Sequence, residues 1–246
     1  IYNYLELRAE LMAEGFEFKT NSEIEVLLAL YRRDGEDFLK KLRGMYAISI
    51  YDKENELLCG GRDSFGIKPL YYRVIEDGVL VSSEFKAYLW DCHGEPIGVD
   101  PDMLSAYFTF EYVPDPNTIS KDIRLVPPGH SYVFDKNGFR LKQYREISFA
   151  PVTGSFDEKE KAIRKAVENS VKAHLLSDVP VGTFLSSGVD SAVVTAVASK
   201  LSPGIKAFTV AFGVDAYSEM ADAESIAARL DVEHVKLNAG LEDFKE

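Results

Sequence analysis

The residues with the clearest chemical potential are Ser186-Ser187-Gly188-Val189-Asp190-Ser191. Residues 179–185 before them form an apolar run of buried-strand type, and the helical run 192–198 follows at once. Strand, small-residue turn and helix start together aim unpaired N–H groups and the positive end of the helix dipole at one point. Anions bind at such points. Small side chains let the backbone approach closely, and the hydroxyls of Ser186, Ser187 and Ser191 add donors. Asp190 would repel a bare phosphate, so its use is to hold a Mg²⁺ that bridges phosphate oxygens. An ordinary strand-to-helix turn with a serine cap is the competing reading. The turn is not a Walker loop, and the nearest imitation, Gly61 to Lys68, lacks the Gly-Lys-Ser/Thr ending.

Other reactive types are scattered. Arg62, Asp63 and Lys68 gather charge, and ion pairing or loop anchoring accounts for them better than catalysis does. Glu219, near a helix start, could orient metal or nucleotide or simply stabilise the dipole. His93, His130, His174 and His234 show no metal-ligand spacing. The two cysteines, Cys59 and Cys92, fit a reducing, cytoplasmic setting, with Cys59 read as core.

Two kinds of element must position these groups. Up to about residue 150 the chain alternates hairpins with a few helices. Helices are predicted over 1–13 and from a capping box at Ser22-Glu23-Ile24-Glu25, with a strand after the turn at 14–15. Strand pairs are predicted at 45–51 with 56–60, 70–74 with 79–83, and 131–135 with 139–143. Asp100-Pro101 starts a helix through residue 108. After a second capping box at Ser155-Phe156-Asp157-Glu158 the pattern becomes a long helix to about 176. Strands at 179–185, 206–212 and 234–237 then alternate with helices at 190–200 and 218–230. That alternation predicts a parallel, doubly wound sheet after an α+β layer structure, with domains at 1–150 and 151–246.

The net charge of −12 argues against nucleic-acid binding, since such a surface repels phosphate backbones. A local nest of amides still admits a nucleotide. No apolar run approaches a membrane helix, and the first residues lack the form of a signal peptide. Both ends look cut, so a fragment is expected.

Residues 185–191 resemble the Ser-Gly-Gly-x-Asp-Ser loop of ATP-pyrophosphatases, with Ser187 in place of the first Gly. That resemblance implies that Leu185, Ser186, Ser187, Gly188, Val189, Asp190 and Ser191 bind ATP, with Mg²⁺ on Asp190. It also implies that Leu185 and Val210, in Phe208-Thr209-Val210-Ala211-Phe212, flank the base. For Val210, plain core is an equally good reading.

Earlier residues extend the likeness. Ile1-Tyr2-Asn3-Tyr4-Leu5-Glu6-Leu7-Arg8, Gly44-Met45-Tyr46-Ala47, Gly61-Arg62-Asp63 through Gly66 to Lys68-Pro69-Leu70-Tyr71-Tyr72, and Ser82-Ser83-Glu84-Phe85-Lys86 occur in order. Val126-Pro127-Pro128-Gly129-His130, Asp178-Val179-Pro180-Val181-Gly182 and Tyr217-Ser218-Glu219 follow. Together they resemble glutamine-dependent asparagine synthetases along essentially the whole chain. The resemblance implies an N-terminal-nucleophile hydrolase αββα sandwich, incomplete here, joined to the start of an α/β ATP-pyrophosphatase domain.

It further implies a ligase using ATP and Mg²⁺, with ATP, aspartate and glutamine as small-molecule partners. Glutamine is hydrolysed, aspartate is adenylated with release of pyrophosphate, and ammonia displaces AMP. Glu23 aligns with the acid that binds the substrate's α-amino group, one methylene longer than the family's usual Asp. The family's cysteine nucleophile would lie upstream, so no catalytic residue is expected in this chain and neither half should turn over alone. A β-lactam synthetase, another amidotransferase, or a non-enzymatic nucleotide-binding remnant share much of this pattern. A homodimer stays open.

Overall fold

The computed structural model describes residues 1–91, 97–212 and 219–240. The chain divides into two compact units, Ile1–Phe149 and Ala150–Glu246. Cys92, His93, Tyr217 and Ser218, singled out above, lie outside the described residues. No helix among the described residues is long and apolar enough to cross a membrane.

The first unit opens with α1 (Tyr4–Ala13), α2 (Glu23–Asp34) and a 3-10 helix (Gly35–Lys41). Strands β1 (Ala47–Asp52), β2 (Leu57–Arg62), β3 (Tyr71–Ile75) and β4 (Gly78–Ser82) follow. Next come α3 (Ala87–Asp91), α4 (Pro101–Phe110), β5 (Arg124–Leu125), β6 (His130–Asp135) and β7 (Gly138–Gln143). Among the described residues they form an antiparallel sheet β1-β2-β6-β7 and a smaller one ordered β4-β3-β5.

Layering follows from which faces are apolar. Leu7 and Leu11 of α1 and Val26, Leu27 and Leu30 of α2 pack with Phe38 and Leu39 against Ile48, Ile50, Cys59 and Val133 of the larger sheet. A second cluster, Leu70, Val126 and Tyr132 with Tyr72, Val81 and Phe139, joins the two sheets, and Tyr72 stacks on Phe139 with ring centroids 4.5 Å apart. Helices, sheet and second sheet thus lie in sequence. In α4, Asp100 caps the Asp102 N–H as its sequence predicts, yet Leu104, Tyr107, Phe108 and Phe110 remain exposed.

Two local expectations fail here. The capping box at 22–25 does not close. Ser22 Oγ accepts from Ile24 N–H at 3.2 Å, but the Ser22 N–H is already taken by Thr20 Oγ. The Glu25 carboxylate therefore turns to Thr20, accepting its N–H and hydroxyl at 2.8 Å each. Residues 16–18, expected as a strand, are irregular, because no neighbouring strand offers them a ladder. The 3-10 helix after Gly35 and the two short elements α3 and β5 carried no periodic signal of their own.

Buried charge organises the turn after β2. Asp63, fully buried, accepts from the N–H groups of Phe65, Ile67 and Lys68 at 3.1, 3.0 and 3.0 Å, and from that of Tyr46 at 3.4 Å. Arg62 donates to the carbonyls of Lys68, Gly66 and Val126 and to the Asp115 carboxylate. Gly66 sits at φ +64° inside this loop, where a side chain would be strained and would strike the Arg62 guanidinium. The cluster Arg62, Asp63, Lys68 is therefore an anchor: the Lys68 backbone, not its amine, makes these contacts.

The second unit begins with α5 (Phe156–His174), whose capping box does close, Ser155 Oγ and the Glu158 carboxylate each taking the other's N–H. Strand β8 (Gly182–Phe184), α6 (Val189–Leu201), β9 (Lys206–Phe212), α7 (Met220–Leu230) and β10 (Glu233–Ala239) complete it. The strands are parallel, in the order β10-β9-β8. Strand β8 is shorter than the predicted 179–185, since Pro180 offers no N–H to a ladder. Buried Thr195 of α6 donates to Thr183 of β8 at 3.0 Å, tying helix to strand. Leu185, Ala207, Ala223 and Ala227 form one core cluster and Val171, Ala198 and Ile205 another.

Two outcomes are expected. Asp63→Ala leaves four backbone donors without their acceptor and should cost on the order of 3 kcal/mol, read as a lowered urea midpoint. Burial pushes the Cys59 thiol up to about 11, so at pH 7.5 iodoacetamide should modify Cys59 at least about 100-fold more slowly in the folded chain than in urea, measured by peptide mass spectrometry.

Candidate functional site

The serine-rich turn lies where β8 gives way to α6, at the carboxyl edge of the parallel strands, the edge at which open α/β sheets take ligands. Leu185 is buried among Ala207, Ala223 and Ala227 and fixes the root of the turn. Its N–H donates to Phe208 O at 2.9 Å, and its carbonyl accepts from the Thr209 hydroxyl at 2.6 Å. Leu185 was expected beside a base. Its side chain lies in the core, both backbone groups are bonded, and it carries the turn.

Beyond Leu185 the chain braces itself. Ser186 N–H donates to Ser191 Oγ at 3.1 Å, the two hydroxyls lie 2.9 Å apart, and Gly188 N–H donates to Ser186 Oγ at 3.1 Å. Ser191 Oγ also approaches Gly188 O at 3.1 Å. These hydroxyls thus hold the turn's shape rather than standing free as donors. Ser187, in the place of a glycine, is not among the residues of positive φ, so it fits without strain. Its N–H points to Glu219 Oε2 at 3.3 Å.

What remains open is the first turn of α6. Gly188 is the extended N-cap residue, and the first intrahelical bond runs from Ala192 N–H to its carbonyl. The N–H groups of Val189, Asp190 and Ser191 precede that bond and have no partner within the helix. Ser187, Gly188, Val189 and Asp190 are exposed. The site therefore presents amide donors to solvent in a braced frame, with one acceptor, Glu219, already lying on the Ser187 amide. A group that brings several oxygens to this point would meet the positive end of α6.

For a metal, the residues suit one mode. Among the described residues no three potential ligands of the His, Cys, Asp and Glu types cluster together, so a cage built by protein alone is not on offer. Asp190 lies exposed in the first turn of α6, which fits Mg²⁺ held by one carboxylate together with phosphate oxygens and water. Val210 of β9 is 40% exposed, open enough to meet a ligand at the strand's end.

Glu23 lies in the other unit, as the first residue of α2. Its side chain is partly exposed. Of the remaining histidines, His130 Nδ1 lies 2.9 Å from Pro128 O and His174 Nδ1 lies 2.8 Å from Ser170 O.

Sequence reasoning missed one pair. His234 Nε2 lies 2.7 Å from Thr209 Oγ1, which extends the contact at Leu185 into a chain of three residues. The signal was present: Thr209 is the lone hydroxyl in the apolar run 207–212, and a hydroxyl inside a central parallel strand must find partners.

Comparison with known proteins places this geometry. The glutamine amidotransferase domain family matches residues 1–145, and the asparagine synthase family matches residues 162–246. A Bacillus subtilis protein named glutamine-hydrolyzing asparagine synthetase 1 is 41% identical over 99% of this chain and 38% of its own length. Escherichia coli asparagine synthetase B is 36% identical over 81% of this chain and 31% of its own. A putative asparagine synthetase of Methanocaldococcus jannaschii is 30% identical over the whole chain and 48% of its own length. The chain thus spans less than half the length of these relatives. By its match over residues 1–145 the chain belongs to the glutamine amidotransferase domain family; residues 162–246 match the asparagine synthase family, and across both units the chain is similar to glutamine-hydrolysing asparagine synthetases.

Proposed function

We propose that this sequence serves a ligase that hydrolyses glutamine, adenylates aspartate with ATP and lets the released ammonia displace AMP to give asparagine. In this reading residues 1–150 belong to an amidotransferase domain of the N-terminal-nucleophile hydrolase type, an αββα sandwich. Residues 151–246 begin an ATP-pyrophosphatase domain, in a cytoplasmic protein. The single observation that carries the nucleotide half is the exposed first turn of α6, whose amides no protein group inside the helix can satisfy.

The chemistry follows from that turn. The amides of Val189, Asp190 and Ser191 receive the β- and γ-phosphates, with Ser186, Ser187 and Gly188 shaping the turn under them. Mg²⁺, held by Asp190, would neutralise the pyrophosphate as it leaves. The side chain and backbone of Val210 meet the base. Glu219, which lies on the Ser187 amide, moves aside as phosphate enters, because a carboxylate next to an incoming phosphate is repelled by it. Glu23, partly exposed at the start of α2, receives the α-ammonium of glutamine.

Coupling two reactions has a chemical reason. Ammonia in neutral water is mostly ammonium, which has no lone pair to attack an acyl adenylate. Generating it within the same protein delivers the nucleophilic form.

Three measurements test this. Calorimetry of the chain with Mg-ATP should show binding, and Asp190→Ala should weaken it about tenfold in Mg²⁺ but little in EDTA. In the whole protein, Asp190→Ala should lower pyrophosphate release by on the order of 100-fold (~2.7 kcal/mol) while glutamine hydrolysis stays within about twofold. Pyrophosphate release with another carboxylic acid and none with aspartate would assign a different substrate. Glu23→Ala should raise KM for glutamine about tenfold or more and leave synthesis from ammonia unchanged.

A further inference from the structure

The contact between Thr209 and Leu185 interrupts a β-ladder at the place where the base is expected. Phe208 O accepts from Leu185 N–H at 2.9 Å, so the peptide groups of Phe208 face β8. Strand polar groups alternate sides with a period of two. Val210 therefore turns its N–H to the same side, toward the chain leaving β8. In a continued parallel ladder, Leu185 O would be the acceptor for that N–H. Instead this carbonyl accepts from the Thr209 hydroxyl at 2.6 Å, and pairing of β8 with β9 stops at Phe184 and Phe208.

His234 fixes the direction of this contact. A threonine hydroxyl has one hydrogen, and here it goes to Leu185 O. At 2.7 Å from His234 Nε2 the same oxygen must accept, so the ring carries its proton on Nε2. His234 Nδ1 is buried without a hydrogen-bond partner, which makes the contact to Thr209 the ring's one polar anchor. Parallel pairing of β9 with β10 sets Thr209 beside Lys236 and His234 beside Ala207, so the relay spans two strands and the root of the turn.

We infer that Thr209, oriented by His234, is a positioning residue that ends the β8–β9 ladder at Leu185 and thereby leaves the Val210 N–H free for an acceptor nitrogen on the nucleotide base. The inference rests on the ATP-binding reading and deepens it. It assigns base recognition, as distinct from phosphate binding, to a side chain that touches neither.

The distinction gives the test. Calorimetric titration of the 246-residue chain with Mg-ATP and, separately, with Mg-pyrophosphate reads base and phosphate contacts apart. Thr209→Val keeps the shape, removes the hydroxyl and frees Leu185 O to pair with Val210. It should weaken Mg-ATP about tenfold and leave Mg-pyrophosphate within about twofold. Thr209→Ser should restore ATP binding. His234→Phe should lose about threefold for ATP alone, and it decides the matter if the valine variant does not fold. Unchanged ATP affinity in both Thr209→Val and His234→Phe would overturn this role and leave the nucleotide site standing. Parallel loss of ATP and pyrophosphate with an unchanged melting curve would also overturn it. A wild-type chain that binds neither ligand sinks the nucleotide site together with this role.

Discussion

An α-helix cannot satisfy its own first amides, and the second unit is arranged so that little else does. At the start of α6 the serine hydroxyls are used to bond the turn to itself, Thr195 ties the helix to β8 from below, and Leu185 sinks into the core. Each contact removes freedom from the backbone without covering the N–H groups of Val189, Asp190 and Ser191. Fixed donors in an exposed frame need no reorganisation when an anion arrives, and this preorganisation is worth more than added donors on mobile side chains. The acidic balance of the chain is no obstacle, because the attraction is local and made by backbone dipoles.

The first unit obeys a related rule with charge turned inward. Asp63 is buried, yet it is surrounded by backbone N–H groups, and the Arg62 guanidinium is spread over three carbonyls and the Asp115 carboxylate. A buried charge with its hydrogen bonds complete organises a loop; one left incomplete would break it. That is why a motif rich in charge can lie in an enzyme family and still be architecture. Cys59 makes the same point for nucleophiles: desolvation holds it as the neutral thiol.

Thr209 shows how a strand can be both scaffold and site. Its backbone belongs to the central strand β9, while its hydroxyl takes an acceptor that the neighbouring strand would otherwise have used. Strand ends are where ladders must stop, and a side chain that stops one early determines which peptide groups face the ligand.

Much of this was legible in the residues. Period-two and period-3.6 patterns located most strands and helices, Asp100-Pro101 and Ser155 through Glu158 marked helix starts, and the residues around 185–191 read as strand, turn and helix. Those signals are local, so one sequence window contains them. The capping box at 22–25 failed because a hydroxyl two residues upstream, Thr20, offered the Ser22 amide a nearer acceptor. Strand β8 shrank because its ladder depended on Pro180 and on where its partner's polar groups pointed. The placement of Leu185 in the core, Glu219 on the Ser187 amide and His234 on Thr209 joins residues 22 to 42 positions apart. Such contacts have no period and no motif. They exist only once the parallel sheet has brought β8, β9 and β10 together, and that pairing, not any single window of the chain, decided which amides were left for a ligand.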